Sequence, residues 1–202
     1  VAAAVNEGDL QAETADRSLR AARFVRAGVL LVIGFAIAFS ATLHEQAAFD
    51  RWLVVAALIV LGLAWACEAG ASRTNPALAR TAVLQFGVTF AAGLLLAVLP
   101  FADQALAMAL VVAAWAILVA LLQLTTVLRA TQTPAAGLPA VLLSTLLAVL
   151  VFLSRDDAVA VIGFFGGYAV VCGVFLGISA FDSRGAAADG APADALTQGP
   201  TA

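Results

Sequence analysis

Six long apolar runs limit what this chain can fold into more than any other feature. They cover residues 27–43, 52–70, 81–101, 105–128, 136–154 and 158–180. A helix that crosses a bilayer needs about 20 mostly apolar residues. Strands are excluded, because Leu94-Leu95-Leu96-Ala97-Val98-Leu99 has none of the alternation that a membrane strand requires. In hydrocarbon each backbone N–H must be satisfied within the structure, and a helix does this locally. The expected fold is an all-α integral membrane protein with six transmembrane helices.

Composition agrees: of 202 residues, 63% are hydrophobic and 11% charged, against about 25% charged in ordinary soluble domains. Ten Arg, no Lys and 13 acids give a net charge of −3, which speaks against nucleic acid as a partner. The lipid bilayer is the expected partner, with a second copy of the chain as a candidate.

The connections alternate. Those after runs 1, 3 and 5 are short, so they join antiparallel neighbours. Those after runs 2 and 4 carry helix stoppers and Arg, in Ser72-Arg73-Thr74-Asn75-Pro76 and Arg129-Ala130-Thr131-Gln132-Thr133-Pro134. The expected organisation is therefore three helical-hairpin repeats, near 24–73, 80–130 and 136–184, each closing on an Arg: Arg73, Arg129 and Arg184.

Arg distribution sets the expected orientation. Arg17, Arg20, Arg23, Arg26, Arg73, Arg80, Arg129 and Arg184 lie at one end, and only Arg51 and Arg155 at the other. The positive-inside tendency then places both termini in the cytoplasm. This divides the chain into a cytoplasmic amino-terminal segment (1–26), a transmembrane domain (27–180) and a disordered cytoplasmic tail (181–202), rich in Ala and Gly. Arg26, the apolar run after it and Ala36-Ile37-Ala38 imitate a cleaved secretory signal. Loss of the first helix would break the first hairpin, so its retention is expected.

Membrane helices associate through small residues. Gly166, Ala169, Gly173, Gly177 and Ala180 form such a stripe, with Gly166, Gly173 and Gly177 the expected packing positions. A second stripe comprises Ala109, Ala113, Ala116, Ala120 and Gln123. Polar groups within spans carry the most functional information. Glu68, Gln85 and Gln123 are the candidate intramembrane polar site, all expected in the cytoplasmic half. Gln85 shares a helix face with Thr89, and Ser144 or Thr145 are candidates to join it. At the outer end, His44 is a candidate acidity sensor, Asp156 a helix cap, and Trp52 and Phe101 members of an aromatic belt.

Catalytic and cofactor chemistry finds little material. The single His lies in a loop, and there is no Lys for a phosphate-binding loop. No His lies within a span to hold a haem, and Cys67 and Cys172 read as small apolar packers. No catalytic residue, metal site or cofactor is expected.

The opening stretch Gly28-Val29-Leu30-Leu31-Val32-Ile33-Gly34 and the run from Val161-Ile162-Gly163-Phe164-Phe165-Gly166-Gly167-Tyr168 to Phe175 resemble the HdeD-like family of small six-helix bacterial membrane proteins. Pro100 stands where that family has a proline after the first helix of a hairpin, whereas Ser40-Ala41 and Ser154-Arg155 depart from the pattern. The resemblance implies a non-enzymatic protein of the bacterial inner membrane that contributes to acid or envelope stress tolerance. Two alternatives remain: a small transporter or channel for protons, cations or small solutes, with Glu68 as coupling group, and an accessory subunit of a membrane complex.

Overall fold

The computed structural model describes residues 7–43, 47–100, 103–129 and 137–189. They form six α-helices: α1 (Glu7–Phe39), α2 (Ala47–Ala71), α3 (Pro76–Val98), α4 (Gln104–Arg129), α5 (Leu138–Leu153) and α6 (Ala158–Asp189), with a 3-10 turn at Ala41–Leu43. Five contain apolar stretches long enough to cross a membrane: Glu13–Phe39, Ala48–Ala71, Pro76–Val98, Gln104–Leu128 and Ala158–Phe181. The chain is a multi-pass, all-helical membrane protein.

The fifth apolar run forms a shorter helix than its sequence suggests. α5 has 16 residues, about 24 Å at 1.5 Å per residue, against a hydrocarbon core of about 30 Å. Pro139 lacks an N–H and fits only the first helical turn, which fixes where α5 begins. The outermost helices are longer than expected. α1 begins at Glu7, where Glu13 and Arg17 pair at 2.8 Å one turn apart. α6 continues to Asp189 through the Ala-rich stretch expected to be tail, in line with the helix propensity of Ala. His44, Phe101, Ala136 and residues 190–202 lie outside the described residues.

Helix starts follow local chemistry. The Asn75 side chain accepts from the Ala77 and Leu78 N–H groups ahead of Pro76. Asp103 accepts from Leu106, and Asp157 from Val159 and Ala160. The cap of α6 is therefore Asp157, not Asp156. The end of α3 is closed from another helix: Arg51 donates to the carbonyls of Leu96 (2.8 Å), Ala97 (3.1 Å) and Leu99 (3.3 Å), which have no partner within α3.

The helices form a ring in chain order, with α6 returning to α1 and α2, α4 and α6 meeting across the middle. The closest pairs are α2/α3, α1/α6 and α4/α5, whereas the expected hairpins α1/α2, α3/α4 and α5/α6 are looser. Glycine explains two of the close pairs. In α1/α6, a Cβ on Gly166 would lie 2.9 Å from Ile37 Cγ2, one on Gly173 3.0 Å from the Ala27 carbonyl, and one on Gly34 would collide with Val170. In α2/α3, Gly93 stands against Ile59 and Leu58. Phe24 meets Phe181 edge-on at 5.0 Å, so residue numbers rise along α1 as they fall along α6, the mark of antiparallel packing.

The core centres on α4, whose Met108, Ala109, Val112, Trp115, Ala116 and Val119 are buried together with Phe165 and Ile162 of α6 and Leu58 of α2. The outside is apolar as well: Val32, Phe39, Leu63, Leu84, Leu121 and Leu142 are exposed. Arg26, Glu68, Gln85, Thr89 and Ser144 are buried instead. Apolar outside and polar inside suits hydrocarbon as the surrounding solvent.

Candidate polar site in the membrane interior

Glu68 lies on the buried face of α2, near the end of the bundle that carries α1's start and α6's end, and is 8% exposed. The opposing face of α1 supplies its partners. Arg26, also 8% exposed, donates through Nη1 to Glu68 Oε2, and Arg23 Nε stands 3.8 Å from Glu68 Oε1. The Arg26 guanidinium lies over the Trp65 ring, 3.7 Å from its centroid, a cation–π contact strengthened by removal from water. Spacing makes this cluster: Arg23/Arg26 and Trp65/Glu68 are both separated by three residues, so each pair projects from one helix face.

A second set of polar groups fastens α3, α4, α5 and α6 together. Gln85, fully buried on α3, donates to the Val119 carbonyl of α4 at 3.4 Å. One turn further along α3, Thr89 accepts from the Trp115 indole N–H at 3.0 Å. Trp115 meets the Phe165 and Tyr168 rings edge-on at 5.7 and 5.9 Å, and the Tyr168 hydroxyl bonds Ser144 of α5 at 3.1 Å. Thr145 turns outward and bonds the Val141 carbonyl of its own helix. Burial explains why these donors and acceptors find one another, since an unpaired polar group costs several kcal/mol in hydrocarbon.

The three sequence candidates have different partners, but Arg26, which pairs with Glu68, and Val119, which accepts from Gln85, both line the cavity that Gln123 borders. Glu68 belongs to the α1/α2 ion pair, Gln85 donates its amide N–H to α4 while its buried Oε1 has no hydrogen-bond partner, and Gln123 borders a small cavity. That cavity, about 50 Å³, is lined by Arg26, Trp65, Trp115, Gln123, Tyr168 and Cys172 among others. The buried Oε1 of Gln123 has no hydrogen-bond partner. Of the glycines expected to pack α6, Gly166 and Gly173 lie against α1, whereas Gly177 has nothing within 4 Å of where a Cβ would stand. Trp52 is exposed at the far end of α2. No group of three or more His, Cys, Asp or Glu able to hold a metal occurs among the described residues.

Sequence reading overlooked Arg26, which the positive-inside tendency already explained, and Arg51, which it placed in a loop. The signal for Arg26 was present in its spacing from Arg23, matched by Trp65 and Glu68. No protein-family model, curated protein or solved structure matches the chain.

Proposed function

We propose that this chain is a non-enzymatic protein of the HdeD-like type in a bacterial inner membrane, with six crossings and both termini cytoplasmic, contributing to acid or envelope stress tolerance. The sequence resemblance and the eight-to-two distribution of Arg support that placement. A threefold repeat of a two-helix unit is favoured by the meeting of α2, α4 and α6 across the middle, with α1, α3 and α5 set between them.

One observation carries the structural rather than transporting role. Four contacts bind polar groups of the interior across helices: Arg26 to Glu68, Gln85 to α4, Trp115 to Thr89 and Tyr168 to Ser144. A coupling carboxylate must exchange partners during a transport cycle, and Glu68 is held by two guanidinium groups, one of which lies over the Trp65 ring. These contacts tie helices into a rigid body that resists deformation of the membrane around it.

The test is reconstitution into liposomes loaded with a pH-sensitive dye, comparing the protein with Glu68→Gln. No proton flux from either, together with acid sensitivity of a strain lacking the protein, is the expected result. Flux that vanishes in Glu68→Gln would replace this reading with transport.

A further inference from the structure

We infer that the bundle binds a single acyl chain ending in a carboxyl group, with the head in the interior cavity and the tail in a groove between α5 and α6. Two neighbouring hollows carry the inference. The first is the cavity beside Arg26 and Gln123. The second is an apolar groove of about 250 Å³, walled by Leu146, Leu147 and Leu150 of α5 and floored by Gly163 and Gly167 of α6. Leu143 and Tyr168 line both. These two side chains border both hollows, and Tyr168 is held by its hydrogen bond to Ser144 and its edge-on contact with Trp115.

The groove has the dimensions of a hydrocarbon tail. From Gly163 to Val171, α6 advances about 12 Å at 1.5 Å per residue. Gly163 and Gly167 are exposed, and nothing lies within 4 Å of where their Cβ atoms would stand. Their floor is smooth, and the opposite wall is leucine. α5 and α6 are also the loosest of the chain-adjacent pairs, which leaves an entrance open to the bilayer.

The cavity fits a carboxyl head. At roughly 10–15 Å³ per water-sized group, its volume admits a carboxyl but not a glycerophosphate. Its chemistry has both senses of hydrogen bond. Arg26 offers N–H donors, and Gln123 Oε1 is an acceptor without a partner. A carboxylic acid accepts from the first through its carbonyl and donates to the second through its hydroxyl. An ester cannot donate, and an alkane tail can do neither.

The experiment measures tryptophan quenching by a long-chain fatty acid brominated near its carboxyl group. In a Trp52→Phe protein the remaining tryptophans, Trp65 and Trp115, both line the cavity. Quenching is expected to saturate. It should be roughly tenfold weaker in affinity for the methyl ester, and likewise for Gly167→Leu, which fills the groove. Gly87→Leu makes the same change on α3, where a Cβ also meets nothing within 4 Å, and should bind as the parent does. Gln123→Leu, assayed in parallel, should lose the preference for acid over ester. Quenching that rises without saturation, or equally in Gly167→Leu, would show mere partitioning into detergent or lipid and overturn the inference. Equal affinity for acid and ester would overturn the assignment of the head to the cavity.

Discussion

At the scale of single residues, the Arg26–Glu68 pair is the most consequential interaction because both charges are buried in a low-dielectric interior. Removing one partner of such a pair costs about 3–5 kcal/mol, since the other charge is left uncompensated, whereas replacing both by apolar groups is often neutral. Glu68→Gln should therefore lower the thermal midpoint in detergent markedly, and more than the double change Arg26→Met with Glu68→Met. Circular dichroism melts of the two proteins check this. Equal loss in both would mean that the carboxylate contributes no charge compensation. Arg51 acts differently, through hydrogen bonds to the carbonyls at the end of α3. Arg51→Ala should cost about 1–3 kcal/mol, the range for exposing buried polar groups without partners, and hydrogen exchange should rise first around Leu96–Leu99.

The elements show which features the sequence carried openly. Apolar runs located all six helices, because each must satisfy its backbone within itself and face hydrocarbon on one side. The stretch ending Asn75-Pro76 read as a stop between helices, and the structure adds that Asn75 caps α3 and Asp103 caps α4 through their own side chains. Which helices lie closest was not legible, because Gly166 and Gly173 announce close approach without naming the partner. The structure gives that partner as α1, where Gly173 stands against Leu31 and the Ala27 carbonyl. The contrast with Gly177 makes a test. Gly173→Leu forces backbone apart, a change of the overpacking kind that costs about 1–3 kcal/mol or more, while Gly177→Leu meets open space. Size-exclusion profiles and melting should be disturbed in the first and unchanged in the second. The Arg26–Glu68 contact was hidden for another reason: its partners are 42 residues apart, and an arginine beside a membrane segment already had a sufficient explanation. α1's charged extension gave no apolar signal, although Ala, Glu and Arg favour helix.

For the whole molecule, the decisive question is whether α5, the shortest helix, crosses the bilayer, because that sets whether the two termini share a side. Its length falls about 6 Å short of the hydrocarbon core, and mismatch of this kind costs only fractions of a kcal/mol per Å through thinning or snorkelling. Against this stand the two faces of the helix. Ser144, Leu147, Ala148 and Val151 are buried in the bundle, and Leu142, Leu146, Val149, Phe152 and Leu153 are exposed on the other side. An apolar face of that extent cannot be left in water. Under the proposed six crossings, the loop at Arg73 and the turn at Asp156 stand on opposite sides of the membrane. In a protein with Cys67 and Cys172 changed to Ala, single cysteines at the exposed positions Thr14, Arg73, Asp103 and Asp156 can be probed with a membrane-impermeant maleimide. Asp103→Cys and Asp156→Cys should react in intact cells, and Thr14→Cys and Arg73→Cys only after permeabilisation. Labelling of Arg73→Cys and Asp156→Cys from the same side would mean that α5 lies along the membrane rather than through it, and the ring of six would then need a different relation to the bilayer.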